Sequence, residues 1–393
     1  MARLVHQVGL GMLILLLPFA KAAVEISFGL LLLGWSLELL LDPRARARTI
    51  WRSMSLRPIC WGLGAYLAAC VVSMMFSDFP LHSARGLIGK WLEYLLFFVI
   101  IADLACRPKL LERAIIGLTW SSAGVLLWGL RDELALRIVS GFRETYWWHY
   151  GRMVGPYQNP IDLATYLMVV SPIIVSYAVT RSGWKRWLLG ALALGLVSCL
   201  VRTHAVGAWL GLAAGLIALG FGAAQHRTAW VGLGGLAAIG GWFGSKFSIV
   251  DIGLTDRWVM WQAAIRMIQD RPVIGHGVNT FMANYLRYWV GGERQPRYAH
   301  NCYLQVAAET GLLGLAAFLW LLGAIGWCIA RGVQRAKGAD RTLLLGLAVG
   351  LAAFVAQAAI DTNFYALRQA ALFWSLAGLA LGLSERIQSP PPV

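Results

Sequence analysis

Cys302-Tyr-Leu-Gln-Val-Ala-Ala-Glu-Thr-Gly-Leu-Leu-Gly-Leu-Ala-Ala-Phe-Leu-Trp-Leu-Leu-Gly-Ala-Ile-Gly-Trp-Cys-Ile-Ala330 carries one charged side chain, Glu309. About twenty apolar residues cross the hydrocarbon core of a bilayer as a helix. This run is longer, so it is expected to tilt or to begin outside the bilayer. Similar runs centre near residues 14, 32, 67, 97, 121, 171, 194, 215, 238, 351 and 377, which makes twelve expected spans. The first is short and turns tightly at Lys21 into the second. Composition agrees. The 393 residues are 59% hydrophobic and 13% charged, with a mean hydropathy of +0.63. A soluble domain carries about 25% charged residues. A cytoplasmic enzyme, a secreted disulfide scaffold and a disordered chain are therefore excluded. The expected fold is all-α: one polytopic membrane domain over residues 1–393, with a large outer loop at 249–299. No cleaved leader is read at the N-terminus, because the first apolar run leads straight into the next. The six cysteines fall mostly in apolar runs without a Cys-x-x-Cys, as small buried hydrophobes do.

The net charge of +15 is the second anomaly. In a soluble protein it would point to nucleic acid; in a membrane protein it reports topology or an anionic substrate, and no nucleic-acid partner is expected. With the N-terminus inside, eighteen of the 34 basic residues fall in inner loops. Eleven more lie in two long outer segments, 131–160 and 246–299, which the positive-inside rule does not count. Both termini are thus expected in the cytoplasm. Ten of those eleven are Arg: Arg131, Arg137, Arg143, Arg152, Arg257, Arg266, Arg271, Arg287, Arg294 and Arg297, with Lys246 the exception. Arg offers a planar fork that matches phosphate oxygens two at a time. The two readings are a solvated basic surface against anionic head groups and an Arg-lined site for a phosphate-bearing lipid.

The outer loop has internal order. Thr255 or Asp256 can cap a helix running to Asp270, with Trp258, Ala264 or Ile265, and Ile268 on its apolar side. Arg266 and Asp270 stand four residues apart on it. Pro272 ends it, Gly275 and Gly277 turn the chain, and a second short helix near 280–290 carries Phe281, Tyr285, Tyr288 and Trp289. Such amphipathic pieces lie at membrane surfaces, either as a structural cap or as a lid over a lateral opening. His300-Asn301 follows where the chain re-enters the membrane. Asn301 is placed to cap the next helix. His300 sits at that helix's N-terminus, where the dipole favours a neutral ring able to accept a proton, as a general base must. Glu309 points the other way on a regular helix and is expected to pair elsewhere.

Four segments together resemble the O-antigen ligase and polymerase superfamily: His300-Asn301 followed nine residues on by Gly311-Leu-Leu-Gly314; Asp270-Arg-Pro-Val-Ile-Gly-His-Gly-Val-Asn-Thr-Phe281; Gly151-Arg-Met-Val-Gly-Pro-Tyr-Gln-Asn-Pro160; and Arg85 with Lys90 ahead of an apolar run. One departure stands out. Where the family reads Ser-Arg-Gly-Ala-Trp-Leu-Gly, this chain reads Ala205-Val206-Gly-Ala-Trp-Leu-Gly211. Arg202, one helical turn earlier, could supply the missing charge, and His204 is near. The resemblance implies a GT-C-like membrane glycosyltransferase of the bacterial inner membrane with a periplasmic site. Its donor would be an undecaprenyl-pyrophosphate-linked glycan. The ligase branch transfers that glycan to a sugar hydroxyl of lipid A–core, the polymerase branch to another repeat unit, and a third branch to a protein; chain length and the compact outer loop favour the ligase. In that frame His300 is the catalytic base. Arg152, Arg257 and Arg202 would hold pyrophosphate, with Arg85, Lys90, Arg266, Asn301 and Asn159 as further substrate-binding candidates. The reaction would invert the anomeric carbon and need no cofactor and no metal. A flippase for the same lipid is the competing class, but its candidate charges (Glu25, Glu38, Glu93, Asp103, Asp162, Glu309) are scattered and no internal repeat is seen.

Overall fold

The computed structural model describes residues 2–43, 49–138, 151–222, 234, 254–291 and 298–388. The protein is an all-α polytopic membrane protein, with no strand among those residues. The expected spans appear as α1 (Ala2–Leu16), α2 (Lys21–Leu41), α3 (Arg57–Met75), α4 (Pro80–Gly86), α5 (Glu93–Ala105), α6 (Pro108–Ile138), α7 (Pro160–Val179), α8 (Gly183–Arg202) and α9 (Val206–Gly222). Then come α10 (Leu254–Asp270), α11 (Phe281–Asn284), α12 (Cys302–Arg335), α13 (Gly338–Gln357) and α14 (Leu367–Gln388). Eight helical stretches are long and apolar enough to cross a membrane, and α1 and α9 are shorter apolar helices. Eleven of the twelve expected centres fall inside helices; the one near 238 lies outside the described residues, as do Arg143, Lys246, Arg294 and Arg297. A wide π-turn, Leu87–Leu92, joins α4 to α5.

Helix α14 is the central post. Nearly every side chain from Gln369 to Glu385 is buried, apolar all round, which a helix shows only when protein covers every face. Lipid tails are as apolar as leucine, so membrane helices associate by close packing rather than by hydrophobic exclusion. Gly378 and Gly382 serve that packing: a Cβ on either would press on the Phe98–Ala105 stretch of α5. Ring-to-ring contacts among Phe354, Phe364, Phe373 and Trp374 fill the space between α13, α14 and their connecting loop.

Polar residues sort to the two ends. At one end Glu38 gathers Arg3 and Arg107, Ser55 bonds Glu385, and Arg386 pairs with Asp340. At the other, Arg368 of α14 clasps the carbonyls of Pro18, Pro156 and Tyr157 and lies over the Tyr157 ring. That clasp ties the α1–α2 turn and the approach to α7 to the central post. Replacing Gly378 with Leu should drive α5 off α14 and cost about 1–3 kcal/mol. The check is a lower unfolding midpoint in detergent than for a Leu substitution at Gly64, where a Cβ meets nothing.

Candidate functional site

Helix α12 is broken. Gly311 adopts φ +71°, ψ 179°, so the 302–310 turns and the 312–335 span are two helices in one run. The regular ladder would pair the Leu312 N–H with the Ala308 carbonyl. Instead Leu312 donates to Pro272, Ala308 accepts from His276, and Glu309 accepts from Gly277 and from the Ser73 hydroxyl. Backbone groups freed by a break must be satisfied inside the protein at membrane depth. The 272–277 strap does this, and it needs glycine on both sides. A Cβ on Gly275 (φ +68°) would collide with the Glu309 carbonyl, and one on Gly311 with the Val273 carbonyl. The two motifs that looked separate in sequence are one backbone-to-backbone contact.

Glu309 locks the strap from the other side. Its buried carboxylate accepts from the backbone N–H of Asn279 (2.7 Å) and of Phe281 (3.2 Å), from Gln305 (3.1 Å) and from the Tyr365 hydroxyl (3.0 Å). As expected, it pairs away from His300. Gln305 passes the constraint back by accepting the Ala299 N–H at 3.1 Å. Asn301 caps α12, its Oδ1 accepting from Leu304 at 3.0 Å.

Helix α10 lies on the first half of α12. It begins by Leu254, so Thr255 and Asp256 fall within its first turn rather than capping it. Of the expected apolar side, Ala264 is buried and Ile268 packs on the buried cluster, while Trp258 and Ile265 are corrected. Met260, Ala263, Ala264 and Met267 are buried, whereas Trp258 is 55% and Ile265 40% exposed. Small residues allow close approach to α12, and bulky apolar ones are at no disadvantage against lipid. Asp270 accepts from the Tyr288 hydroxyl at 2.6 Å instead of pairing with Arg266, which is exposed.

His300 itself has a left-handed backbone, φ +49°. Its carbonyl accepts from the Trp261 indole of α10 (3.4 Å), and its side chain is 26% exposed. Asp361, in the α13–α14 loop, brings Oδ1 to 3.5 Å from its Nδ1. The sequence carries no local sign of this contact, because it joins residues 61 positions apart. Arg257 stands one helical turn before Trp261 on α10. It lies near Arg152, whose Nε donates to the Thr203 carbonyl at 2.9 Å. Burial, and then Arg257, hold the Arg152 guanidinium below its usual range, yet it stays charged at neutral pH. His204 is also held low, first by burial and then by Arg152 and Arg202. Arg152, Arg257, Arg202 and His204 thus form one cationic neighbourhood. Arg202, however, is engaged by both oxygens of Glu133 (2.9 and 2.8 Å). Asn159 spends its Oδ1 capping α7. Lys90 and Arg85 belong to a different surface, on the π-turn and α4; Lys90 bonds Asn279 at 2.8 Å. Arg271 and Arg287 both grip Asp78 and hold its carboxyl below the usual range.

The arrangement defines a polytopic membrane protein with a histidine beside a carboxylate and an arginine cluster at one end of the bundle. Residues 167–319 match the family model for O-antigen ligase. The matched stretch holds Arg202, Arg257, His300 and the Gly311 break; Arg152 and Asp361 come from outside it. No curated protein matches the chain.

Replacing Glu309 with Ala should leave the Asn279 and Phe281 donors unmet, at about 1–3 kcal/mol each. The expected readout is protease cleavage in 271–291 under conditions where the wild type is intact, with Gln giving partial protection. His276 makes the same strap sensitive to acid. Its ring is buried, donates to the Met267 carbonyl at 3.1 Å and stacks edge-on with Tyr288. Burial is the largest influence and holds its pKa below the ordinary value of 6.5. The unfolded chain therefore takes the proton first. The stabilising contribution is complete above pH 6.5 and is lost as pH falls below it. Protease resistance of the strap should decline between pH 7.5 and 5.5, and His276→Gln should flatten that decline.

Proposed function

We propose that the protein is an O-antigen ligase: it transfers a glycan from undecaprenyl pyrophosphate to a sugar hydroxyl of lipid A–core. The observation that carries this reading is His300 beside Asp361, with the His300 carbonyl held by Trp261 one helical turn from Arg257. With Nδ1 turned to Asp361, Nε2 of His300 is the basic nitrogen. It takes the proton of the acceptor hydroxyl as that oxygen attacks the anomeric carbon. The bond from that carbon to the pyrophosphate oxygen breaks, and undecaprenyl pyrophosphate departs. Attack opposite the leaving group inverts the centre. Arg257 and Arg152 stabilise the charge that builds on the leaving pyrophosphate, the task a divalent cation performs in other transferases; the reaction is proposed to be metal-independent. The His300 end is proposed to be periplasmic and both termini cytoplasmic, in the bacterial inner membrane, with 249–299 as the outer loop of a single membrane domain. The excess of Lys and Arg in the short inner loops supports that orientation. A polymerase using a second repeat unit as acceptor would employ the same groups.

The test is transfer by purified protein from undecaprenyl-pyrophosphate glycan to lipid A–core, with released undecaprenyl pyrophosphate measured. His300→Ala should lose about 10²-fold or more. Asp361→Asn should lower kcat with little change in KM. Arg257→Lys should fail to rescue, because a point charge does not copy the fork. EDTA should leave the rate intact. Near-normal transfer by His300→Ala, or loss in EDTA, would overturn the corresponding assignment.

A further inference from the structure

The outer cations divide into two groups that meet His300 from different elements. The first is on α10: Arg257 stands one turn before Trp261, whose indole bonds the His300 carbonyl, and it acts as a like charge on Arg152. The second is built on α4 and the π-turn. His82, Gly86 and Lys90 follow one another at intervals of four along one face, and that face is covered by the Asn279 side chain. Lys90 Nζ donates to Asn279 Oδ1 (2.8 Å) and to the Tyr298 hydroxyl (3.4 Å) and lies 5.7 Å from the Tyr298 ring centre. His82 Nε2 lies 3.4 Å from Asn279 Nδ2. A Cβ on Gly86 would collide with Asn279, so the absence of a side chain there sets the approach. Tyr298, two residues before His300, closes the surface and packs on Tyr365. Arg85 stands next to this face, exposed.

Charge is the informative feature. Lys90 is half-buried, and both its bonds are to neutral oxygens; it forms no ion pair among the described residues. The acid nearest through Asn279 is Glu309, and four donors already fill its carboxylate. An ammonium has three donors, so one remains for a ligand. A half-buried cation without a counter-ion is unfavourable until an anion arrives. The surroundings say where that anion comes from. Leu81 is 77% and Ile88 66% exposed on the same segment, so cations and exposed apolar side chains share it, the mix that suits a membrane surface. A π-turn opens a helix locally and recurs at functional sites; here it carries Lys90.

We infer that the surface formed by His82, Arg85 and Lys90, with Asn279 and Tyr298, is a subsite for a phosphate group on the acceptor glycolipid, separate from the Arg152–Arg257 site for the donor's pyrophosphate. The inference rests on the ligase reading for what the acceptor is. Two phosphate sites fed by two lipids explain why cations flank the base from two elements, and why the second group shares its segment with exposed apolar side chains. The acceptor then approaches laterally, held by its phosphate, with its sugar hydroxyl delivered past Tyr298 to His300.

The experiment is equilibrium binding to the full-length protein in nanodiscs of zwitterionic lipid. The probes are lipid A–core with its phosphates, the same glycolipid dephosphorylated, phosphatidylglycerol, and undecaprenyl pyrophosphate. Wild type should prefer the phosphorylated glycolipid. Lys90→Met should weaken it about tenfold and leave undecaprenyl pyrophosphate unchanged; Lys90→Arg should recover most of the loss. Arg85→Gln, which removes no contact among the described residues, guards against misfolding and should give a smaller loss in the same direction. The subsite is overturned if wild type ignores the phosphates, if undecaprenyl pyrophosphate weakens equally, or if phosphatidylglycerol competes as well as the glycolipid. Discrimination at this surface with no glycan transfer by wild type would instead refute the ligase reading and leave the phosphate subsite standing.

Discussion

The break at Gly311 and the carboxylate of Glu309 hold the site together. A helix interrupted at membrane depth exposes carbonyls and N–H groups that lipid cannot satisfy. The strap from Pro272 to Gly277 supplies the missing partners. Glu309 then fixes the next residues by accepting two of their N–H groups and, through Gln305, reaches back to Ala299 beside His300. A single buried acid thereby holds the outer segment, the start of α12 and the α13–α14 loop in one register. Removing the break would free the strap, and removing the strap would leave the break unsatisfied; neither is stable without the other.

The positive charge also resolves into parts. Arg271 and Arg287 close on Asp78, Arg202 on Glu133, and Arg131 on Asp132, while Arg368 serves carbonyl oxygens. These are structural ties, and exposed ion pairs of this kind contribute little each. Arg257 differs in facing another cation, since it helps hold the Arg152 guanidinium below its usual range. Lys90 differs for a related reason, having only neutral oxygen partners. Counting Arg in outer loops points to one end of the molecule but cannot separate ties from ligands, since that depends on which acid lies opposite each one.

The spans were legible because a bilayer imposes length and composition on each segment, and eleven of twelve expected centres lie in helices. The Asn301 cap was legible because capping is local. The buried face of α10 was legible only in part: Ala264 and Ile268 lie inward, and Trp258 and Ile265 do not. In water Trp258 and Ile265 would mark the inside, whereas against lipid the small residues Ala263 and Ala264 do. Asp361 was visible as an acid but not as the neighbour of His300, because a contact across a helix pair leaves no local signal. The glycines of the two motifs were quoted as matches, yet their reason, one backbone crossing another at Gly275 and Gly311, exists only in three dimensions.

Among the described residues, four non-glycine residues have left-handed backbones: Gln158, His204, Asn279 and His300. Each stands one or two residues before a helix at the end of the bundle that carries the site. Such conformations cost free energy and persist only where surroundings over-determine them. At His300 the surroundings are explicit: Ala299 is held by Gln305, the His300 carbonyl by Trp261, and Asn301 is committed to its cap. A residue at that corner cannot relax into the helix, so its ring projects from the turn toward Asp361 instead of lying along α12. Asn279 is fixed in the same way by Glu309 and carries the side chain that meets Lys90. The local strain is therefore what separates the base from the helix it precedes, and what holds the second cationic surface within two residues of Tyr298 and the base.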